Sequence, residues 1–192
     1  PLKDEIIDGV RFVWLKTFPK YHGNGMKRLI NMFSYFIAML RVYSKYEKPD
    51  VIIGSSVHLF ACLAAYLISR RTGSRFICEI RDLWPQTLID MGAISKAHPL
   101  AVFFRAIEKF IYKKAEKIIV LLPNSFDYLR KCHIEESKII YIPNGVNIEK
   151  FDKHLKDTNI KLAESLEKDL KSNFCCIYTG SIGLANCMGT VI

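Results

Sequence analysis

Apolar and polar positions alternate along this chain in blocks of two kinds. Gly9–Leu15 alternates between apolar and polar residues and predicts a strand. Met26–Tyr46 carries apolar residues at helical spacing, and Pro49 ends that helix. Asp50 leads into the short apolar run Val51–Gly54, a buried strand. Ser55-Ser56-Val57-His58 is a turn, Leu59–Arg71 an alanine-rich helix, and Gly73 its left-handed cap. Arg75–Ile80 is the next buried strand, followed by the loop Arg81-Asp82-Leu83-Trp84-Pro85. Helices over Pro99–Lys114 and near Ser125–Lys131 alternate with strands over Lys117–Leu122 and Lys138–Ile142. These strands are continuous apolar runs, which predicts a parallel sheet covered on both faces in a doubly wound α/β fold. Such sheets bind ligands beyond the carboxyl ends of their strands.

The pattern changes after Phe151. Lys153–Lys171 is highly charged, and Ile160, Leu162, Ala163, Leu166 and Leu170 predict an amphipathic helix there. Phe174–Thr179 then reads as another buried strand, ending in Gly180-Ser181-Ile182-Gly183. We therefore expect a first domain over residues 1–150, a charged connector over 151–173, and the opening strand and turn of a second α/β domain over 174–192. Pro1 and the uncapped Cys187–Ile192 read as truncations at both ends.

Charge adds a second theme. The chain has 28 basic and 19 acidic residues, a net charge of +9. Two segments carry the excess: Leu15–Lys48 has seven basic residues and one acidic, and Lys96–Lys117 has six and two. Both are predicted helices. Leu29, Phe33, Phe36 and Leu40 line the first, beside Lys27, Arg28, Arg41 and Lys45. Phe103, Phe104, Ile107 and Ile111 line the second, beside Arg105, Lys109, Lys113 and Lys114. A basic amphipathic helix fits an anionic membrane surface; a core-packing helix with a solvated lysine face fits the same pattern. No nucleic-acid-binding motif accompanies the charge, so nucleic acid is not an expected partner. The longest near-continuous apolar stretch, Met32–Leu40, is too short to span a bilayer. The six cysteines form no C-x-x-C pair, which predicts reduced core cysteines and no metal site.

The polar residues after each strand are the candidates for chemistry: Ser55, Ser56 and His58 after the first parallel strand, Glu79, Arg81 and Asp82 after the second, and Asn144 and Gly145 after the last. A carboxylate such as Asp82 binds or deprotonates a hydroxyl at such a position, or else caps a helix or pairs with Arg81. His58 is either a ligand or a helix-start histidine. In the turn Gly180-Ser181-Ile182-Gly183, glycines let backbone N–H groups approach a phosphate. Glu108 and Glu116, with seven residues between them on a lysine-rich helix, are expected to form ion pairs.

Four motifs bring a resemblance. Glu79-Ile80-Arg81-Asp82-Leu83-Trp84-Pro85-Gln86-Thr87 is close to the E-V-R-D-L-W-P-Q-T form of bacterial glycosyltransferases of family 4, in the WbuB-like branch. Ile142-Pro143-Asn144-Gly145-Val146-Asn147 resembles that family's I-P-N-G-V-D, Tyr178–Ala185 its A-G-S-I-G-L-A, and the turn at Ser55–His58 its S-S-P-H. The departures are Asn147 for an acidic residue and Val57 for proline. The resemblance implies a GT-B fold of two Rossmann-like domains, with the acceptor on the N-terminal one and the nucleotide sugar, a UDP-linked donor, on the C-terminal one. It implies retaining transfer, by a hexosyltransferase, of an N-acetylated amino sugar to a lipid-linked or saccharide acceptor in surface polysaccharide (lipopolysaccharide) biosynthesis, without a metal or other cofactor. His58 and Asp82 would be catalytic; Ser55, Ser56 and Arg81 would hold the acceptor. Gly180, Ser181 and Gly183 would hold the donor, and Asn144 and Gly145 would form the hinge. The expected location is cytoplasmic, peripheral on the inner face of the inner membrane. The resemblance further implies that the family's first strand, its glycine-rich loop and its paired-glutamate motif lie outside residues 1–192, so that this chain alone is inactive. A non-catalytic membrane-associated subunit and a nucleotide-sugar 2-epimerase are the competing readings.

Overall fold

The computed structural model describes residues 2–20, 25–157, 170–180 and 190. The chain divides into two compact units, Pro1–Pro143 and Asn144–Ile192. The first unit is a Rossmann-like α/β layer structure. Its parallel sheet has the order β3 (Val51–Ser55), β4 (Arg75–Ile80), β5 (Lys117–Val120) and β6 (Ile139–Tyr141). The register pairs Gly54 with Cys78, Cys78 with Ile118, and Ile118 with Ile139. Helix α1 (Met26–Val42) precedes β3. The crossovers contain α2 (Leu59–Thr72), α3 (Gln86–Asp90) with α4 (Pro99–Lys114), and α5 (Ser125–Lys131).

Two residues before the predicted strand lies the end of an element that the apolar pattern did not announce. Strand β1 (Leu2–Ile7) pairs antiparallel with β2 (Val10–Leu15) as a separate hairpin. Its two-residue turn is Asp8-Gly9, and both residues have positive φ, 49° and 79°. That is the backbone a tight hairpin requires, and Asp-Gly is a favoured sequence for it. Asn31 on α1 holds the segment after β2, its Nδ2 donating to Thr17 Oγ1 and to Pro19 O, each at 2.9 Å.

The helices pack on the sheet face presented by Phe76, Cys78 and Ile80 of β4 and Ile118 and Val120 of β5, all buried. Phe60 of α2 is the hub. It meets Phe33 and Phe36 of α1 at 5.6 and 6.3 Å between ring centroids, and Phe104 of α4 at 5.8 Å. Edge-to-face packing of this kind adds to the stabilisation from burial alone. Val51 and Ile53, on the other face of β3, are 38% and 57% exposed. The strands thus read as covered on both sides, while the described helices α2 and α4 cover one.

Glu108 departs from expectation. It makes no surface ion pair with the lysines of α4 but is fully buried. The Tyr128 hydroxyl of α5 donates to Glu108 Oε2 at 2.9 Å, and the Tyr112 hydroxyl lies 3.1 Å from Oε1. A buried carboxyl is tolerated when its oxygens are hydrogen-bonded in this way. Glu116 does form an ion pair, but with Arg75 at the start of β4. The cysteines split as well. Cys62 and Cys78 are buried, Cys132 is half-buried, and Cys175 and Cys176 are exposed, contrary to a core placement; Cys187 lies outside the described residues.

In the second unit, α6 (Ile148–Asp157) starts earlier than the charged pattern predicts. Asn147 Oδ1 accepts from Lys150 N at 2.8 Å, so the residue that replaces the acidic one caps this helix. Ile160, Leu162, Ala163 and Leu166 lie outside the described residues. The strand expected at Phe174–Thr179 is not formed. Those residues have no regular secondary structure, and Phe174 is 95% exposed. A strand needs a neighbour for its backbone groups, and among the described residues none pairs with this segment.

Burial pushes the Glu108 carboxyl up to about 7, against the hydrogen bonds from Tyr128 and Tyr112 that favour its charged form. Its pKa in the fold exceeds the unfolded value, so the stability it contributes is full below the ordinary carboxyl range and is lost as pH rises through 7. Urea unfolding of wild type and Glu108→Gln at pH 5 and pH 8 tests this, because other titrating groups cancel in the difference. Wild type is expected to lose about 1–3 kcal/mol relative to the variant at the higher pH. An equal difference at both values would show that Glu108 does not titrate in the fold.

Candidate functional site

The carboxyl ends of β3 and β4 carry two turns that one side chain joins. Ser56 is buried, and its hydroxyl lies 3.0 Å from the Asp82 carbonyl, to which it donates. The same oxygen accepts from the Arg81 amide at 3.0 Å. The Ser56 amide donates to Glu79 O at 2.8 Å. The hydroxyl expected to touch an acceptor is thereby committed to the backbone, where it clasps the His58 turn to the Asp82 turn.

The Arg81–Thr87 segment is anchored from beneath. Pro85 is among the fully buried side chains, and Trp84 packs edge-on against Phe104 at 5.9 Å. Thr87 Oγ1 donates to Leu83 O at 3.0 Å. Arg81 and Asp82 are left exposed at the surface. Neither structural role open to Asp82 is realised: it makes no ion pair with Arg81 among the described residues, and Pro85 holds the position before α3. Asp82 instead borders a cavity of about 130 Å³, together with Arg81, Thr87, Leu122 and Ser125. Its carboxylate is available to a hydroxyl presented there.

His58 takes the helix-start position. It is the N-cap of α2, and its Nδ1 accepts from the Ala61 amide at 3.1 Å. Burial, and then the positive charge of Arg28, lower its pKa to about 4. A neutral ring with Nδ1 as acceptor carries its proton on Nε2. Near neutral pH His58 is therefore a hydrogen-bond donor and not a base. Its ring meets Tyr35 of α1 edge-to-face at 5.4 Å. Ser55, the last residue of β3, has a buried Oγ without a hydrogen-bond partner. Ser55, His58 and Tyr35 line one end of a cavity of about 650 Å³ that runs beside β3 and α2, with Met39, Ile53 and Ala61 along its length.

The remaining candidates belong to the second unit. Asn144 and Gly145 open it and are exposed. Gly180 is exposed too, and the place a Cβ would take there is 2.7 Å from the Tyr178 hydroxyl. Ser181 and Gly183 lie outside the described residues. Tyr35, which lines the larger cavity beside His58, was missed as a site residue by sequence reasoning.

Replacing Ser56 by alanine removes the clasp and leaves the Arg81 amide and the Asp82 carbonyl without it. The expected loss is about 1–3 kcal/mol in urea unfolding. Amide exchange is expected to rise at Arg81, with little change in β5. Unaltered exchange at Arg81 would mean that the turn holds itself.

Residues 2–150 match the family model described as Glycosyltransferase Family 4. Among curated proteins, the chain is 19% identical over 129 residues to "Probable glycosyltransferase WbjE" of Pseudomonas aeruginosa. That alignment covers 66% of this chain and 32% of the relative, so the chain spans about a third of the relative's length. The parallel sheet with its joined turns is thus the fold of a recognised family, and the chain belongs to glycosyltransferase family 4.

Proposed function

We propose that this chain is the acceptor-binding part of a retaining, GT-B, WbuB-like glycosyltransferase. The protein containing it would be a hexosyltransferase that moves an N-acetylated amino sugar from a UDP-linked donor to a lipid-linked or saccharide acceptor in surface polysaccharide assembly. The observation that carries this reading is the clasp that holds the Asp82 turn beside the His58 turn at the carboxyl end of a family 4 sheet. A carboxylate and a neutral imidazole N–H are held there by elements that do not depend on ligand. In transfer, the acceptor hydroxyl oxygen bonds to the anomeric carbon as the bond to the donor diphosphate breaks. Asp82 accepts a hydrogen bond from that hydroxyl, orients it and takes up the proton it loses, and His58 Nε2–H donates to oxygen that gains negative charge. Backbone N–H groups of the turn that includes Gly180, Ser181 and Gly183 would meet the diphosphate, with Asn144 and Gly145 as the hinge. No metal or other cofactor is needed for this division of labour.

In a protein that joins this chain to a complete nucleotide-sugar domain, Asp82→Asn keeps shape and removes charge. Turnover is expected to fall roughly 100-fold, with little change in donor affinity. Unchanged kinetics would remove Asp82 from the reaction, and the 192-residue chain alone is expected to transfer no sugar.

The basic helices support attachment at an anionic membrane surface, on the cytoplasmic face of the inner membrane. Lys27 on α1 and Lys109, Lys113 and Lys114 on α4 are exposed. Phe103 on α4 is 50% exposed and Ile30 on α1 47%. No helix among the described residues is long and apolar enough to cross a membrane. Each basic residue near such a surface contributes about 1 kcal/mol. Changing those four lysines to glutamine is expected to abolish co-sedimentation with anionic vesicles and leave the weak binding to neutral vesicles unaltered. High salt should act as the substitutions do. Salt-independent binding, equal on neutral lipid, would assign attachment to the apolar face instead.

A further inference from the structure

Ser125, the first residue of α5, is a buried polar residue that the transfer steps above leave unused. It is 5% exposed, and its hydroxyl makes no hydrogen bond among the described residues. A buried hydroxyl without a partner costs free energy, so one that is kept calls for a ligand or a reason. Its backbone is firmly placed. The Ser125 amide donates to Leu122 O at 3.1 Å, and Tyr128, three residues on, ties α5 to Glu108 of α4 at 2.9 Å. The protein itself therefore positions this side chain.

Ser125 lines the same cavity of about 130 Å³ as Asp82. Ile80, Leu83 and Leu122 supply its apolar wall, and Arg81 stands beside Asp82 along it. Pockets that enclose a whole small molecule run from about 300 Å³ upward, so this one receives the edge of a larger ligand. The Asp82 carboxylate disfavours an anion there, and Arg81 disfavours a cation. Apolar walls with one carboxylate and one uncommitted hydroxyl suit a neutral group that presents C–H and O–H side by side, as the edge of a sugar ring does.

We infer that Ser125 sets acceptor specificity: its hydroxyl bonds a second hydroxyl of the acceptor sugar, next to the one that Asp82 orients. The inference rests on the acceptor-binding reading above and deepens it, because it makes the accepting group a sugar with two neighbouring hydroxyls. The Ser125 oxygen can donate and accept. An acceptor without the second hydroxyl leaves it buried and unpaired, which is how a hydrogen-bonding site rejects a deoxy ligand.

The first test uses the 192-residue chain and the methyl glycosides of glucose, galactose, mannose and N-acetylglucosamine, followed by NMR of the Leu122 methyl groups and the Ser125 amide. Saturable binding of at least one glycoside is expected. Ser125→Ala should weaken it about tenfold, and Ser137→Ala, at an exposed position just before β6, not at all. No shift with any of the four, or equal weakening by both substitutions, overturns the site. The second test uses the longer protein with its second domain, its acceptor, and the monodeoxy analogues of that acceptor's terminal sugar. The wild type is expected to lose about tenfold in kcat/KM on the analogue that lacks the hydroxyl next to the reacting one. Ser125→Ala should lose a similar factor on the complete acceptor, use that analogue and the complete acceptor about equally, and keep donor KM unchanged. A wild type indifferent to every analogue, or a Ser125→Ala variant that keeps the wild-type preference, makes Ser125 a packing residue and overturns the inference. If the longer protein transfers no sugar, the proposed function fails, while the glycoside titration still decides the site.

Discussion

Gly54 lies where α2 crosses β3, and no side chain fits between them. A Cβ there would stand 2.9 Å from the Ala65 Cβ and 3.1 Å from both the Cys62 Cα and the Phe76 ring. The rest of the unit follows from that close approach. It lets Cys62 Sγ reach the Gly54 carbonyl at 3.3 Å, and it seats the small residue Ala65 against the sheet. With α2 pinned this tightly, Phe60 meets helices on both sides, and His58 is fixed just past the end of β3. The neighbouring turn is then joined through one hydroxyl. Packing at the middle of the strand therefore determines chemistry at its end.

Much of this layout was legible in the chain. Helices α1, α2, α4 and α5 and the four parallel strands were predicted to within a few residues, because apolar runs, Pro49 and Gly73 mark their limits, while the short helix α3 was not predicted. Of the hairpin, β2 was predicted from its alternation, while β1 was missed because its residues are too exposed to carry a clear apolar pattern; Ile6 and Ile7 are 69% and 45% exposed. Its only local signal was Asp8-Gly9. The Phe174–Thr179 segment failed for the opposite reason. Its composition is that of a buried strand, but composition does not supply a pairing partner. Of the site residues, His58 and Asp82 could be found by their place after strands. The role of Ser56 could not, since a clasp between two turns is a property of three-dimensional proximity. Glu108 was misread for the same reason: its lysine neighbours on α4 are exposed, while its carboxyl is buried against Tyr112 of the same helix and Tyr128 of α5.

Two buried titratable groups give the fold opposing responses to pH. Burial favours the neutral form of each, but neutral Glu108 has bound a proton and neutral His58 has released one. The carboxyl favours the folded state on the acid side and the imidazole on the alkaline side. They belong to different contacts, Glu108 to the packing of α5 on α4 and His58 to the start of α2. A change of pH therefore weakens one of these contacts while it favours the other.

The position of β3 at the end of the sheet order bears on how the isolated chain behaves in solution. Among the described residues it pairs with β4 on one side only. Along its other side run the backbone amides and carbonyls of Val51–Ser55, next to the apolar side chain of Ile53. Such an edge can extend itself with a second strand from any molecule that offers one. Solubility of the chain by itself is thus a matter of concentration and of kinetics. The basic helices oppose the process by keeping like-charged copies apart, and added salt weakens that protection.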